Sequence, residues 1–210
     1  MITASELWSH TKALGHGGRL LPFYKAVCVY FVAGGGAPSL YVAALKCAPV
    51  LYLLLCVLLS APAHQARYAR RVGAGLALSA AGDALLVWPQ RLVGGMAAFA
   101  GAHACYAAAF GLRPRAPRLG AALLLGALGY ARALAAPGAL GALVPAYALL
   151  LGAMAWRGAA RGGAARAGAL LFALSDAALG YSLFRAPLPP ALVMAPYYLA
   201  QLAIALSALR

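Results

Sequence analysis

Residues 39–59 read SLYVAALKCAPVLYLLLCVLL, with Lys46 as the one charged residue. A helix needs roughly 20 apolar residues to cross about 30 Å of hydrocarbon, so this stretch predicts a transmembrane helix. The rest of the chain has the same character. Of its 210 residues, 65% are apolar and 10% charged, and the mean hydropathy is +0.84. Soluble domains run nearer 45–50% apolar and about 25% charged. The composition therefore excludes a water-soluble globular enzyme. It also excludes a disordered chain, which lacks this much apolar surface. What remains is an all-α, polytopic integral membrane protein.

Working outward, clusters of Arg, Pro and Gly divide the chain into about eight apolar spans: 20–35, 39–59, 69–88, 92–111, 118–134, 138–156, 165–184 and 188–208. They predict one transmembrane domain over 20–210 as a single bundle, preceded by a cytosolic tail over 1–19. That tail has no apolar run, so a cleavable signal peptide is not expected. No connecting loop has room for a soluble catalytic domain, which confines any chemistry to the bundle or its mouth.

The basic residues test this count. Assigned alternately to two sides, twelve fall on side A, from Lys12 and Arg19 through Arg67, Arg70, Arg71, Arg113, Arg115, Arg118, Arg157, Arg161 and Arg166 to Arg210. Three fall on side B: Arg91, Arg132 and Arg185. Lys25 and Lys46 lie inside spans, Lys25 close enough to side A to snorkel. The positive-inside rule makes side A cytosolic, with both termini there. It also accounts for the net charge of +14 without nucleic acid, since no sizeable soluble surface exists to carry a basic patch. Cys28, Cys47, Cys56 and Cys105 all sit in apolar runs without metal-ligand spacing and read as buried thiols. Trp88, Trp156 and Tyr181 sit at span ends, as interfacial aromatic residues do.

The chain holds three acids, Glu6, Asp83 and Asp176, and two of them fall inside spans. A carboxylate near the middle of a bilayer costs about 2.5–3.5 kcal/mol on insertion scales and by default marks function. Gly75-Leu-Ala-Leu-Ser-Ala-Ala-Gly-Asp83 and Gly168-Ala-Leu-Leu-Phe-Ala-Leu-Ser-Asp176 align with one another. The match falls in the third and seventh spans and suggests a parallel four-plus-four repeat. Both aspartates are expected near mid-span or slightly toward side B, at a similar depth that would allow them to face each other. Two carboxyls in an apolar medium, with Lys46 near one of them, favour a state with one acid protonated and the other ionised. That division suits general acid catalysis beside electrostatic stabilisation. Lys46 is too deep to snorkel and needs an anion, either a carboxylate or a lipid phosphate. His103 and Tyr106 share one face of the fourth span. Tyr197, Tyr198 and Gln201 form a polar stripe on the eighth. With the aspartates they outline a polar pocket.

These segments resemble the lysoplasmalogenase family, the small eight-helix YhhN-like membrane proteins. The resemblance is carried by Leu20-Leu-Pro-Phe, Leu45-Lys-Cys-Ala-Pro-Val, Ser79-Ala-Ala-Gly-Asp83-Ala-Leu-Leu-Val-Trp-Pro and Gly95-Met-Ala-Ala-Phe-Ala-Gly-Ala-His103. It continues through the Gly168 to Asp176 segment and Tyr197-Tyr-Leu-Ala-Gln201-Leu-Ala-Ile-Ala-Leu-Ser. It covers almost the whole chain after the tail, and the fifth span matches poorly, so Tyr130 and Arg132 inherit no role. The resemblance implies hydrolysis of the vinyl ether bond of a lysoplasmalogen to a fatty aldehyde and glycerophosphoethanolamine or glycerophosphocholine. Asp83 and Asp176 are then the expected catalytic acids. Lys46, His103, Tyr106, Tyr197, Tyr198 and Gln201 are the expected substrate-binding residues. No metal and no cofactor are expected. The expected partners are a lysophospholipid and the bilayer, in the endoplasmic reticulum. The oligomeric state is open, a homodimer included. Two rivals come from other classes. A proton-coupled transporter or lipid carrier also uses midplane acids. An intramembrane aspartyl protease fits less well, because Asp83 lacks a preceding Tyr and Asp176 follows Leu-Ser rather than Gly-x-Gly.

Overall fold

The computed structural model describes residues 18–209, so the expected tail over 1–19 lies almost wholly outside the described residues. Among the described residues, eight α-helices follow one another: α1 (Leu21–Ala33), α2 (Leu40–Ser60), α3 (Ala66–Leu85), α4 (Leu92–Phe110), α5 (Pro117–Ala133), α6 (Leu140–Arg161), α7 (Gly163–Phe184) and α8 (Pro190–Ala208). Short 3₁₀ turns, Ala63–Gln65 and Pro89–Arg91, precede α3 and α4. Local chemistry sets the boundaries. The Ser39 hydroxyl caps α2 by accepting from the Val42 N–H at 3.2 Å, and proline sits in the first turn of α5 and α8, where its missing N–H removes no bond. Gly111 and Gly162, at φ +80° and +88°, end α4 and α6 in a backbone region that favours glycine.

Among the described residues, five segments are long and apolar enough to cross a membrane: Leu40–Ser60, Pro89–Phe110, Leu140–Arg161, Gly163–Phe184 and Pro190–Ala208. The other three have identifiable reasons to fall short. With 13 residues, α1 rises about 20 Å. With 17 residues, α5 rises about 26 Å. The hydropathy of α3 is lowered by Arg67, Arg70 and Arg71 in its first two turns. The exterior carries apolar side chains such as Val32, Leu40, Leu58, Leu125 and Leu174, while Ser79, Asp83, His103, Arg157, Ser175 and Gln201 are buried. This reverses the arrangement of a soluble domain and identifies hydrocarbon as the solvent.

Within each half, α1–α4 and α5–α8, each helix packs on its successor in chain order, α3 on α4 and α7 on α8 most extensively. Across the two halves, α4 packs on α6 and α8 on α2. Exchanging α1–α4 with α5–α8 maps one set of crossings onto the other. The glycines follow the same rule. Gly75 lies where a Cβ would meet the Tyr106 ring on α4, and Gly168 where one would meet Ile204 and the α8 backbone.

The helix ends gather at two faces. At one, the Tyr68 hydroxyl bonds the Ser207 hydroxyl at 2.6 Å, Arg71 donates to the Ala108 carbonyl at 2.7 Å, and Trp156 donates to the Arg115 carbonyl at 2.9 Å. Buried Arg157 donates there to the carbonyls of Gly111 at 2.5 Å and Pro114 at 2.9 Å. Arg71 and Arg157 thus both bond carbonyls at the C-terminal end of α4, where a cation is favoured. At the other face, Arg185 donates to the Ala133 carbonyl. The arginine-rich face is side A and the opposite face side B.

Three details differ from the sequence reading. Helix α3 ends at Leu85 rather than 88, so Asp83 sits in its last turn, further toward side B than the expected position near mid-span or slightly toward that side. Cys28 is exposed on the lipid-facing surface of α1, whereas Cys47 and Cys56 are buried. Trp156 is not simply a belt residue, because its indole is packed on Gly120 of α5.

The glycine contacts generate a prediction. A Cβ at Gly168 would stand 2.9 Å from α8 backbone atoms, which cannot swing aside as a side-chain tip does. Gly168→Ala should therefore lower stability by about 1–3 kcal/mol. Gly129→Ala, which meets nothing within 4 Å, should leave the melting temperature in detergent unchanged or raise it.

Candidate active site

The two carboxyls form two separate centres. In the first, α3 presents Asp83 with its side chain only 2% exposed. Lys46 of α2 places Nζ 3.7 Å from Oδ1, and the Tyr197 hydroxyl of α8 donates to Oδ2 at 2.5 Å. Tyr198, the next residue of α8, donates to the Lys46 carbonyl at 2.9 Å, and the Cys47 thiol donates to the Ala80 carbonyl at 3.2 Å. These bonds lock α2, α3 and α8 around the ion pair. Gly82 matters here because a Cβ at that position would overlap the Phe99 ring, which lies 2.6 Å away.

In the second centre, α7 presents Asp176. Its Oδ2 accepts from the Tyr147 hydroxyl of α6 at 2.5 Å and lies 3.2 Å from His103 Nε2 of α4. The same His103 nitrogen is 2.9 Å from the Tyr147 oxygen. Next to Asp176, the Ser175 hydroxyl donates to the Val193 carbonyl of α8 at 2.8 Å and fixes this turn of α7. Both partners converge on one oxygen of Asp176.

No hydrogen bond joins the two carboxyls, and each is held by other side chains. Phe99, Phe172 and Tyr197 connect the centres through edge-to-face ring contacts at centroid distances of 5.5–6.1 Å, and Phe172 also meets the His103 ring at 4.8 Å.

The second centre opens onto space. A cavity of about 80 Å³ reaches Asp176 between α4, α5, α6 and α7, lined by Met96, Phe99, Tyr130, Tyr147 and Phe184 among others. Asp176 is the one acidic or basic side chain in its wall, and it is 10% exposed against 2% for Asp83. A lipid-facing groove between α4 and α6, lined by Val93, Ala97, Ala100 and Leu150, shares Met96 and Tyr147 with this cavity.

The residues expected to bind substrate are thus distributed. His103 joins Asp176, while Lys46 and Tyr197 join Asp83. Tyr106 donates to Gln201 Oε1 at 2.8 Å and lies 3.3 Å from the Ser79 hydroxyl, a buried network that touches neither carboxyl directly and adjoins Tyr197 of the first centre. Tyr198 braces Lys46. None of Lys46, Tyr106, Tyr197, Tyr198 and Gln201 lines the cavity. The sequence reading missed Tyr147, although a hydroxyl inside the apolar run of α6 was a visible signal. It also missed the cavity-lining role of Phe99, for which the sequence carried no sign.

These features define a polytopic helical membrane protein with an intramembrane carboxyl centre opening on an apolar cavity. The comparisons agree with that class. Residues 41–208 match the YhhN family, and the chain belongs to it. It is 45% identical over 199 residues to a pig protein named lysoplasmalogenase TMEM86B, covering 91% of this chain and 87% of the relative. The human protein of that name is 43% identical, covering 91% and 86%. Human lysoplasmalogenase TMEM86A is 39% identical, covering 94% and 91%. No solved structure matches the chain.

Removing one partner of a buried ion pair leaves the other charge without compensation, at a cost of about 3–5 kcal/mol. Lys46→Met should be destabilising on that scale. The double variant Lys46→Met/Asp83→Leu should recover much of the loss, as read from thermal unfolding in detergent.

Proposed function

We propose that this chain is a lysoplasmalogenase, hydrolysing the vinyl ether of a lysoplasmenyl phospholipid with Asp176 as the general acid. The observation that carries the reading is the pairing of Asp176 with an apolar cavity. Both polar partners of Asp176 converge on Oδ2, which leaves Oδ1 to hold a proton toward the cavity. The relatives' names supply the reaction class, and the chemistry suits the site.

The proton on Oδ1 adds to the β-carbon of the vinyl ether, and the double bond's electrons form that new C–H bond. The α-carbon and ether oxygen are left as an oxocarbenium ion. Water adds to the α-carbon and returns a proton to the Asp176 carboxylate. The resulting hemiacetal breaks its bond to the glycerol oxygen, which takes up the hydroxyl proton. The products are one aldehyde and one glycerophospho alcohol, so one water is consumed and the acid is regenerated. The Phe99 ring face stabilises the cationic intermediate. Tyr147 and His103 orient the acid. Asp83, bound by Lys46 and Tyr197, ties α2, α3 and α8 together beside the reacting centre. Lys46 thereby serves the carboxylate rather than a lipid phosphate.

In this reading all eight helices of one domain, 20–210, lie in the bilayer as two parallel four-helix repeats. Both termini are cytosolic, and the membrane is that of the endoplasmic reticulum. The repeat is supported by the matched crossings and glycine contacts. The topology is supported by the arginine-rich face.

The test is aldehyde release from a lysoplasmenyl lipid by the detergent-purified protein. Wild type should release aldehyde. Asp176→Asn should lose at least about a hundredfold in rate, the usual scale of a general acid. Tyr147→Phe, which keeps the ring and loses the bond to Asp176, should lose about tenfold. Asp83→Asn should also slow release. Folded wild type that releases no aldehyde would overturn the reading, and lipid flux across proteoliposomes without chemical change would then favour a carrier.

A further inference from the structure

The three side-B arginines stand at the ends of the elements that wall the Asp176 cavity. Arg91 precedes Leu92, Arg132 follows Ala131, and Arg185 follows Phe184, and all three of those neighbours line the cavity. Arg185 donates to the Ala133 carbonyl, which draws its guanidinium across from α7 to the end of α5. Arg91 lies over the Trp88 ring at 5.7 Å.

Their charge is uncompensated. Among the described residues the carboxylates pair with Lys46 and His103, and none pairs with these arginines. Exposed cations on side B also run against the positive-inside pattern that the other basic residues follow. Three such cations around one opening therefore ask for an anion from outside the chain.

We propose that Arg91, Arg132 and Arg185 form the phosphate-recognition ring of the active site, holding the phosphodiester of the lipid headgroup while the vinyl ether reaches Asp176. This rests on the lysoplasmalogenase reading. The dimensions fit. Asp176 and Arg185 are nine residues apart on and just beyond α7, an axial interval of roughly 13 Å. The link from phosphorus to the vinyl β-carbon is about 8 Å when extended, and an arginine side chain supplies roughly another 6 Å from its Cα. Guanidinium groups present paired donors that suit phosphate oxygens. The cavity wall itself has no cation, so the phosphate belongs at the mouth. The alkenyl chain then continues past Met96 and Tyr147 into the groove between α4 and α6.

The experiment compares kcat/KM for lysoplasmenylethanolamine with that for a 1-alkenylglycerol, which has the vinyl ether and no phosphate. Wild type should prefer the phospholipid. Arg91→Gln/Arg132→Gln/Arg185→Gln should cut that preference by about tenfold or more, through KM, while alkenylglycerol turnover holds. Because Arg185 also ties α7 to α5, Arg91→Gln/Arg132→Gln is the second variant and should move the preference the same way. Arginine-to-lysine changes should restore part of it. Arg70→Gln/Arg115→Gln on side A should not move it. An unchanged preference, or equal loss on both substrates, would overturn the ring. Glycerophosphoethanolamine should compete in wild type and lose its effect in the triple variant. Inorganic phosphate competing as strongly would assign the arginines to free phosphate and overturn the headgroup assignment. Wild type inactive on both substrates would instead defeat the hydrolase reading.

Discussion

A carboxylate in hydrocarbon has no water for its lone pairs, so Asp83 must find its solvation on neighbouring helices. It finds Lys46 on α2 and Tyr197 on α8. Asp176 finds Tyr147 on α6 and His103 on α4. In both centres one partner comes from the other half of the chain. Satisfying the acids therefore fixes how the halves cross, with α8 against α2 and α3 and α4 against α6. The glycines follow from this. Helices tied together by buried polar groups must approach closely, and Gly75, Gly82 and Gly168 leave the room for Tyr106, Phe99 and α8.

The centres are related in architecture and unlike in chemistry. Lys46 and Tyr197 hold Asp83 in a closed, fully committed pair. Asp176 is held through one oxygen and sits in the wall of open space. Where Tyr197 stands beside Asp83, the matching place on α4 holds Phe99, which offers Asp176 no hydrogen bond and lines the cavity instead. The proposed division of labour follows from that difference. The carboxyl that borders open space carries the proton, and the lysine-bound carboxyl ties three helices together.

The fold was legible in the sequence because hydrocarbon imposes so strict a filter. Eight apolar runs punctuated by Arg, Pro and Gly gave eight helices with boundaries a few residues off, the largest shift at α6, which extends to Arg161. The buried acids stood out for the same reason, since an apolar chain with three acids cannot hide two of them. The arrangement within the site was less legible. That Lys46 meets Asp83, that Tyr106 and Gln201 pair with each other, and that aromatic rings connect the two centres depend on helix rotation and crossing. A run of alanines and leucines leaves rotation undetermined, because many registers bury a similar apolar area. Asp83 was misplaced in depth for a related reason: Leu86, Val87 and Trp88 continue the apolar pattern after the helix has ended.

The Asp176 cavity is walled by the last turns of α5 and α7 and the first turns of α4 and α6, all at the arginine-poor face. In the proposed topology that face lies away from the cytosol, so the reacting bond is reached from the lumenal leaflet. A lysolipid arriving in the cytosolic leaflet must turn over within the bilayer before it can be cleaved. Supply in an intact membrane is then governed by lipid flip-flop, a step that detergent abolishes, and any protein that speeds flip-flop becomes a partner in flux without ever touching this chain.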